Sequence, residues 1–332
     1  MRNIKRILVV LFGILLGGIS LKAQQVPMYS QYVMNGFLIN PSYAGNDGYT
    51  TVNLTAREQW LGIPSSPSTY AVSFQTRLLK TSFIQKSTSV RRKLVRPTRG
   101  GRVGLGGYIF NDRNGIISRT GFEAAYAYHI SMTRYRAQLS SGLASTFYQF
   151  AIDLDGAIVA DMDDEFLNNY DRVVYVPDFN FGVSYTAERY YIGFSATQLF
   201  RGSLTLGNTT KNPRRELGHF FLTGGVKIPL SGNEWILEPS AFIKSSDMIL
   251  KAAQMDLTTR IYYREDYWAG ISYRTQDALI MLLGFTYDRF YFAYAFDFAL
   301  TDIRNHSFGS HELSFAVKFG DNARRYRWLN QY

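Results

Sequence analysis

The run Phe290-Tyr291-Phe292-Ala293-Tyr294-Ala295-Phe296-Asp297-Phe298-Ala299-Leu300 decides the fold. Successive residues of an extended chain point to opposite sides. One face therefore carries Phe290, Phe292, Tyr294, Phe296, Phe298 and Leu300, and the other Tyr291, Ala293, Ala295, Asp297 and Ala299. A period of two is the mark of a strand, and a helix would mix the two sets. The last run, 309–319, repeats the pattern, with Leu313, Phe315, Val317 and Phe319 against Ser314, Ala316 and Lys318. Residues 252–263 set Ala253, Met255, Leu257 and Ile261 against Gln254, Asp256, Thr258 and Arg260. A soluble sandwich also alternates, but its strands are usually about 5–6 residues long and its apolar faces meet each other. Here many runs reach about ten residues, the length of strands that cross a membrane as a barrel with lipid on one face and a polar lumen on the other.

Working outward, alternating runs recur near 49–61, 69–79, 101–112, 116–130, 135–151, 178–187, 190–200, 218–229, 234–245, 250–262, 266–275, 278–288, 290–300 and 309–320. The expected fold is all-β, a closed antiparallel transmembrane β-barrel of about fourteen strands. An even count leaves both ends of the barrel domain on one side, expected to be periplasmic, where connections are short. The connections near 131–134, 188–189, 231–233, 264–265 and 288–289 obey this, while the acidic stretch 152–177 and the stretch 201–217 fall outside the cell. The long connection 80–100 breaks the rule by falling on the periplasmic side. Asn114-Gly115 is expected to turn one hairpin.

Arg2, Lys5 and Arg6 precede the uninterrupted apolar and glycine run 7–19, and Ala23 precedes Gln24. That is the layout of a secretory signal peptide, with cleavage expected after Ala23. Thirteen helical residues would cover only about 20 Å of a hydrocarbon core of about 30 Å. The chain has no Cys, so the fold needs no disulfide and thiolate metal sites are excluded. The 24 Phe, 24 Tyr and 4 Trp suit aromatic girdles. Net charge is +10, of which Arg2, Lys5, Arg6 and Lys22 belong to the leader. The remainder is segregated: residues 80–102 hold eight bases and no acid, and residues 153–171 seven acids and no base. Two separate loops of opposite sign do not make a nucleic-acid face.

Sites for chemistry are sparse. The four histidines, His129, His219, His306 and His311, have no i, i+4 metal-pair spacing, and no catalytic constellation is legible. Asp161, Asp163, Asp164 and Glu165 lack a full calcium-loop pattern and read as a solvated acidic loop. Gly104, Gly106 and Gly107 lie in a strand with no helix after them, so they read as strand glycines at a crowded bend. Glu238, Lys244, Asp256, Arg260, Arg274 and Asp297 also fall within strands, where charge toward lipid is costly, and are expected to point inward and pair across the lumen. No metal, cofactor or enzymatic activity is expected. The basic residues Arg91, Arg92, Lys93, Arg96 and Arg99, with Arg324 and Arg325 of the tail, are candidates for contact with an acidic periplasmic partner.

Distinct segments follow the leader: Gln25-Val26-Pro27-Met28-Tyr29-Ser30-Gln31-Tyr32, Asn40-Pro41-Ser42-Tyr43-Ala44-Gly45, Arg57-Glu58-Gln59-Trp60-Leu61-Gly62 and Pro67-Ser68-Thr69. Tyr126-Ala127-Tyr128-His129-Ile130, Gly270-Ile271-Ser272-Tyr273-Arg274 and Gly309-Ser310-His311-Glu312-Leu313 continue the series toward the C-terminus. Together these segments resemble the PorP/SprF family of type IX secretion system outer-membrane proteins. The matching positions Tyr29, Gln31, Asn40, Pro41, Tyr43, Gly45, Arg57, Trp60, Tyr273, Arg274, His311 and Glu312 are candidates for family-specific structure or partner docking. The resemblance implies a barrel that supports export or surface attachment of a partner, a secreted protein or a gliding adhesin with a C-terminal sorting domain. It also implies contact with periplasmic or peptidoglycan-linked parts of the machine, in outer-membrane lipid. The rival expectation is a channel for small or hydrophobic solutes. The domain plan is a signal peptide (1–23), an N-terminal segment that plugs the lumen or docks a partner (24–48), the barrel (49–320) and a basic periplasmic tail (321–332), with both termini periplasmic.

Overall fold

The computed structural model describes residues 29–78, 101–132, 136–153, 173–200, 203–204, 214–215, 218–230, 234–246 and 253–319. Fourteen strands form a closed antiparallel barrel. They are β1 (Thr50–Glu58), β2 (Ser68–Leu78), β3 (Val103–Asn114), β4 (Ile117–Met132), β5 (Ala137–Ile152), β6 (Val173–Ala187) and β7 (Tyr190–Thr197), then β8 (His219–Val226), β9 (Trp235–Ser245), β10 (Ala253–Tyr263), β11 (Tyr267–Arg274), β12 (Ala278–Tyr287), β13 (Phe290–Ala299) and β14 (Ser310–Phe319). Each strand pairs with its neighbours in sequence, β8 pairs with β9, and β1 pairs with β14 to close the ring. Closure leaves no long strand with an open edge. Ile228–Pro229 continues the β8 edge beyond Lys227, against Ile236 and Leu237 of β9.

The burial pattern is that of a soluble protein turned inside out. On β2, Thr69, Ala71, Ser73, Gln75 and Arg77 are buried while Tyr70, Val72, Phe74 and Leu78 are exposed. On β12, Leu279, Met281, Leu283, Phe285 and Tyr287 all face outward. A hydrocarbon solvent explains both halves of this pattern, because the outer wall then loses nothing by being apolar and every polar side chain must find its partners in the lumen. Among the described residues no helix is long and apolar enough to cross a membrane.

Two local expectations are corrected. Strand β6 begins at Val173, ahead of the expected start at 178, and runs through Pro177. There β6 pairs only with β5, because its pairing with β7 starts at Phe181, so the missing N–H of Pro177 deprives no second neighbour. The β3–β4 turn is centred on Gly115 and Ile116, one residue later than expected, and of Asn114 and Gly115 only the glycine has positive φ, at 61°. The six inner-face charges point inward as expected, but the pairs among them run along the wall and not across the lumen: Glu238 joins its cross-strand partner Arg260, and Arg274 joins its cross-strand partner Asp256 and Asp297 two strands away.

Candidate functional site

Residues 29–48 lie inside the barrel. They form two single 3-10 turns, Gly36–Leu38 and Pro41–Tyr43. The second is set up locally: Asn40 accepts the Ser42 N–H at 2.9 Å, and Pro41 occupies a first-turn position where an N–H would have no partner. So short a segment cannot bury its own apolar side chains, and the barrel wall does it. Met34 packs with Trp268, Ile280 and Leu282; Phe37, Tyr43 and Ala44 with Ala125, Ala127 and Ala144; Tyr32, Val33 and Ile39 with Phe221 and Phe242.

One end of the segment is gripped by charge. Glu312 of β14 accepts the backbone N–H of Ser30 at 2.7 Å and of Gln31 at 3.0 Å, and the Gln31 amide donates to the Glu312 carbonyl at 3.0 Å. Arg57 donates to Ser30 Oγ at 2.7 Å, to Glu312 at 3.0 Å and to Asp297 at 2.7 Å. Arg274 completes the cluster, donating to Asp297 at 3.2 Å and to Asp256 at 2.9 Å. These charged groups are almost wholly buried. Two guanidiniums among three carboxylates leave an excess of negative charge, which the Ser30 and Gln31 amides help to satisfy.

The rest of the segment is held by neutral bonds. Asn40 donates to the Phe194 carbonyl at 3.2 Å, Ser195 donates to the Ile39 carbonyl at 2.6 Å, and Ser42 Oγ donates to Ser184 Oγ at 2.8 Å. Asn40 and Pro41 press on Gly142 and Gly182, which are cross-strand partners, and a Cβ on either glycine would collide with them. Gly104 plays the same part beneath Ala44, so the crowding foreseen in this strand comes from the N-terminal segment and not from a bend. Further along, His129 Nε2–H donates to the Ala44 carbonyl at 2.9 Å, Gln138 donates to Asn46 at 2.7 Å, and Asp47 pairs with Lys318 at 3.3 Å.

These contacts give the segment a direction. Ser30 lies level with the last residues of β1, β11 and β13, whereas Asp47 lies level with the end of β14 and leads into β1. The chain therefore runs along the barrel axis, and Tyr29 sits toward the end opposite the one where β14 finishes. Residues 1–28 and 320–332 lie outside the described residues, as do Arg91, Arg92, Lys93, Arg96, Arg99, Arg324 and Arg325.

Of the candidate positions, Gln31, Arg57, Arg274 and Glu312 converge on the charged cluster, and Tyr29 packs beside the Tyr32 apolar group. Asn40, Pro41, Tyr43 and Gly45 meet the wall elsewhere. Trp60, Tyr273 and His311 do not join either group. Trp60 lies in the β1–β2 turn with its N–H on Ser310, Tyr273 faces outward, and His311 bonds Tyr294 at 2.7 Å beside the ring of Phe296. Sequence reasoning missed Ser30 and Gln138; their only signal was a polar residue in a motif and another at an inward position.

A family model described as "Type IX secretion system membrane protein PorP/SprF" matches residues 21–317. The chain belongs to the PorP/SprF family. No curated protein matches it. Solved barrels that it is similar to include the outer membrane protein Omp33 of Acinetobacter baumannii, at 6% identity, 82% of this chain, 100% of that chain and TM-score 0.43. The CymD monoaromatic hydrocarbon channel aligns at 10% identity, 90% of this chain, 94% of that chain and TM-score 0.45. BamA from Haemophilus ducreyi lacking POTRA domains 1–3 aligns at 8% identity, 82% of this chain, 70% of that chain and TM-score 0.39. As a PorP/SprF protein, the chain is a type IX secretion-system outer-membrane barrel.

Proposed function

We propose that this PorP/SprF barrel is a non-enzymatic holder that supports export or surface attachment of a partner protein, a secreted protein or an adhesin with a C-terminal sorting domain. The observation that carries this reading is the occupied lumen. Residues 29–48 bond to the wall from β1 and β14 on one side to β6, β7 and β8 on the other, a closed arrangement that suits a protein acting through its ends. In this role residues 24–48 are a plug. The end carrying the turns 188–189, 264–266 and 288–289 faces the periplasm, since short turns belong there. The basic stretch 80–100 and the tail 321–332 then face periplasmic or peptidoglycan-linked components.

The test is extraction of the tagged barrel in mild detergent, with mass spectrometry of what co-purifies before and after a wash at about 0.5 M salt, which screens exposed charge pairs. Recovery of a secreted protein bearing a type IX sorting domain supports the holder. Recovery of the barrel alone, together with solute conductance in planar bilayers, would transfer the assignment to a channel.

A further inference from the structure

Between the N-terminal segment and strands β3, β5 and β8 lies a cavity of about 90 Å³. Tyr29, Tyr108, Phe110, Tyr148 and Phe221 contribute five aromatic rings to its lining. It lies toward the end where Ser30 is gripped, since Arg119, near the start of β4, and Thr197, the last residue of β7, also border it.

Two buried carboxylates stand at this cavity. Asp178 lines it directly and is 1% exposed. Its Oδ1 accepts the N–H groups of Phe179 at 2.7 Å and Phe200 at 3.0 Å, but its Oδ2 is buried with no hydrogen-bond partner. Glu123 lies just behind the wall, accepting from Tyr108, Thr146 and Asn180, all three of which line the cavity. Neither carboxylate has a cationic partner within ion-pair distance among the described residues. The one guanidinium at the cavity, Arg119, lies 5.7 Å from the centre of the Phe150 ring.

An unsatisfied buried carboxylate oxygen is costly, and aromatic faces attract cations through the ring quadrupole. A cavity lined by Asp178 and by these rings matches one ligand chemistry, a compact organic cation on a short apolar stem. Its volume corresponds to about three water molecules at roughly 30 Å³ each, enough for the tip of a side chain and too small for a folded element. We infer that the Asp178 cavity binds a primary ammonium or guanidinium group, carried either by a lysine or arginine side chain entering from that end of the barrel or by a small free amine. The Asp178 Oδ2 accepts the charged N–H and the rings enclose the stem.

The full barrel in a non-ionic detergent is titrated calorimetrically with n-butylammonium chloride and with 1-butanol, its neutral counterpart of the same heavy-atom count. A second arm compares the tripeptide Gly-Lys-Gly, blocked at both ends, with its norleucine analogue. The cation is expected to bind at least about tenfold more tightly than the alcohol, the scale of one charged hydrogen bond of roughly 1.5 kcal/mol. Asp178→Asn should remove that preference, and Phe221→Leu should weaken the cation severalfold while leaving the carboxylate in place. Heat-modifiable gel mobility verifies that both variants remain folded barrels. Lysine-peptide binding identifies a side-chain source, and binding of the amine alone a free one. Equal affinity for the alcohol and the cation, an unaltered preference in Asp178→Asn, or no binding of any probe overturns the inference. None of these readouts depends on type IX export, so failure here is distinguishable from failure of the holder reading.

Discussion

Arg57 and Glu312 are direct cross-strand partners in the β1–β14 ladder, and their side chains meet inside the barrel at 3.0 Å. The contact therefore lies across the seam where the first and last strands close the ring, and the same Glu312 carboxylate holds the Ser30 and Gln31 amides. Ring closure and retention of the N-terminal segment are coupled through one buried group.

Replacing Arg57 by Met strands the Glu312 and Asp297 carboxylates in a dry interior. Removing one partner of a buried pair costs about 3–5 kcal/mol. Glu312→Gln keeps an oxygen for the backbone amides and loses less, about 1–3 kcal/mol. Urea unfolding of the detergent-solubilised barrel, followed by tryptophan fluorescence, should rank native above Glu312→Gln above Arg57→Met. An Arg57→Met midpoint equal to that of the native protein would show the cluster to be hydrated and energetically idle.

Gly182 is a point of close approach between wall and segment, where an added Cβ would strike the Asn40 side chain. Gly182→Val keeps β6 a good strand, because Val suits the pleated backbone. It should nevertheless push residues 39–42 away from the wall. Limited proteolysis is expected to cut the variant within 29–48 at least about tenfold faster than the native chain, since local opening free energy falls with the lost contacts. Equal cleavage rates would mean that Asn40 can turn aside without loosening the segment.

The outer wall was readable in the sequence because lipid imposes a strict rule: in 290–300 every second residue is large and apolar, and the structure exposes Phe290, Phe292 and Phe298 outward while burying Ala293, Ala295 and Asp297. The course of residues 29–48 was not readable. Two three-residue turns carry no periodicity, and the wall contacts that specify them, such as Ser42 with Ser184, are separated by 142 positions. The Asp178 cavity was hidden for a related reason, since its rings come from the N-terminal segment and from strands that the sequence does not order around a common point. The early start of β6 was not readable for a local reason: a proline is a poor strand residue only where a neighbouring strand needs its N–H, and Pro177 lies where β6 pairs with β5 alone.

Leu283, 56% exposed at the middle of β12, tests the membrane face directly. Arginine near the bilayer midplane costs about 2–4 kcal/mol on a lipid-facing strand position, falling to about 0–1 near the interfaces. Leu283→Arg should therefore destabilise the barrel in lipid vesicles by that larger amount, and Tyr287→Arg, at the end of the same strand, by much less. Reversal of the order would place the hydrocarbon band elsewhere on the wall.

The absence of native cysteine makes the segment easy to lock. Ser42 Oγ and Ser184 Oγ are 2.8 Å apart, so a Ser42→Cys, Ser184→Cys pair needs only a small further approach for a sulfur–sulfur bond of about 2.05 Å. Oxidation should join them, tying residues 29–48 to β6, with mass spectrometry of a proteolytic digest identifying the linked peptides. If the barrel acts as a holder through its ends, cells carrying the locked protein export and display the partner as well as cells treated with a reductant. Loss of export under oxidising conditions, restored by the reductant, would mean that the segment must leave the lumen, and the holder would have to be redrawn as a gated passage.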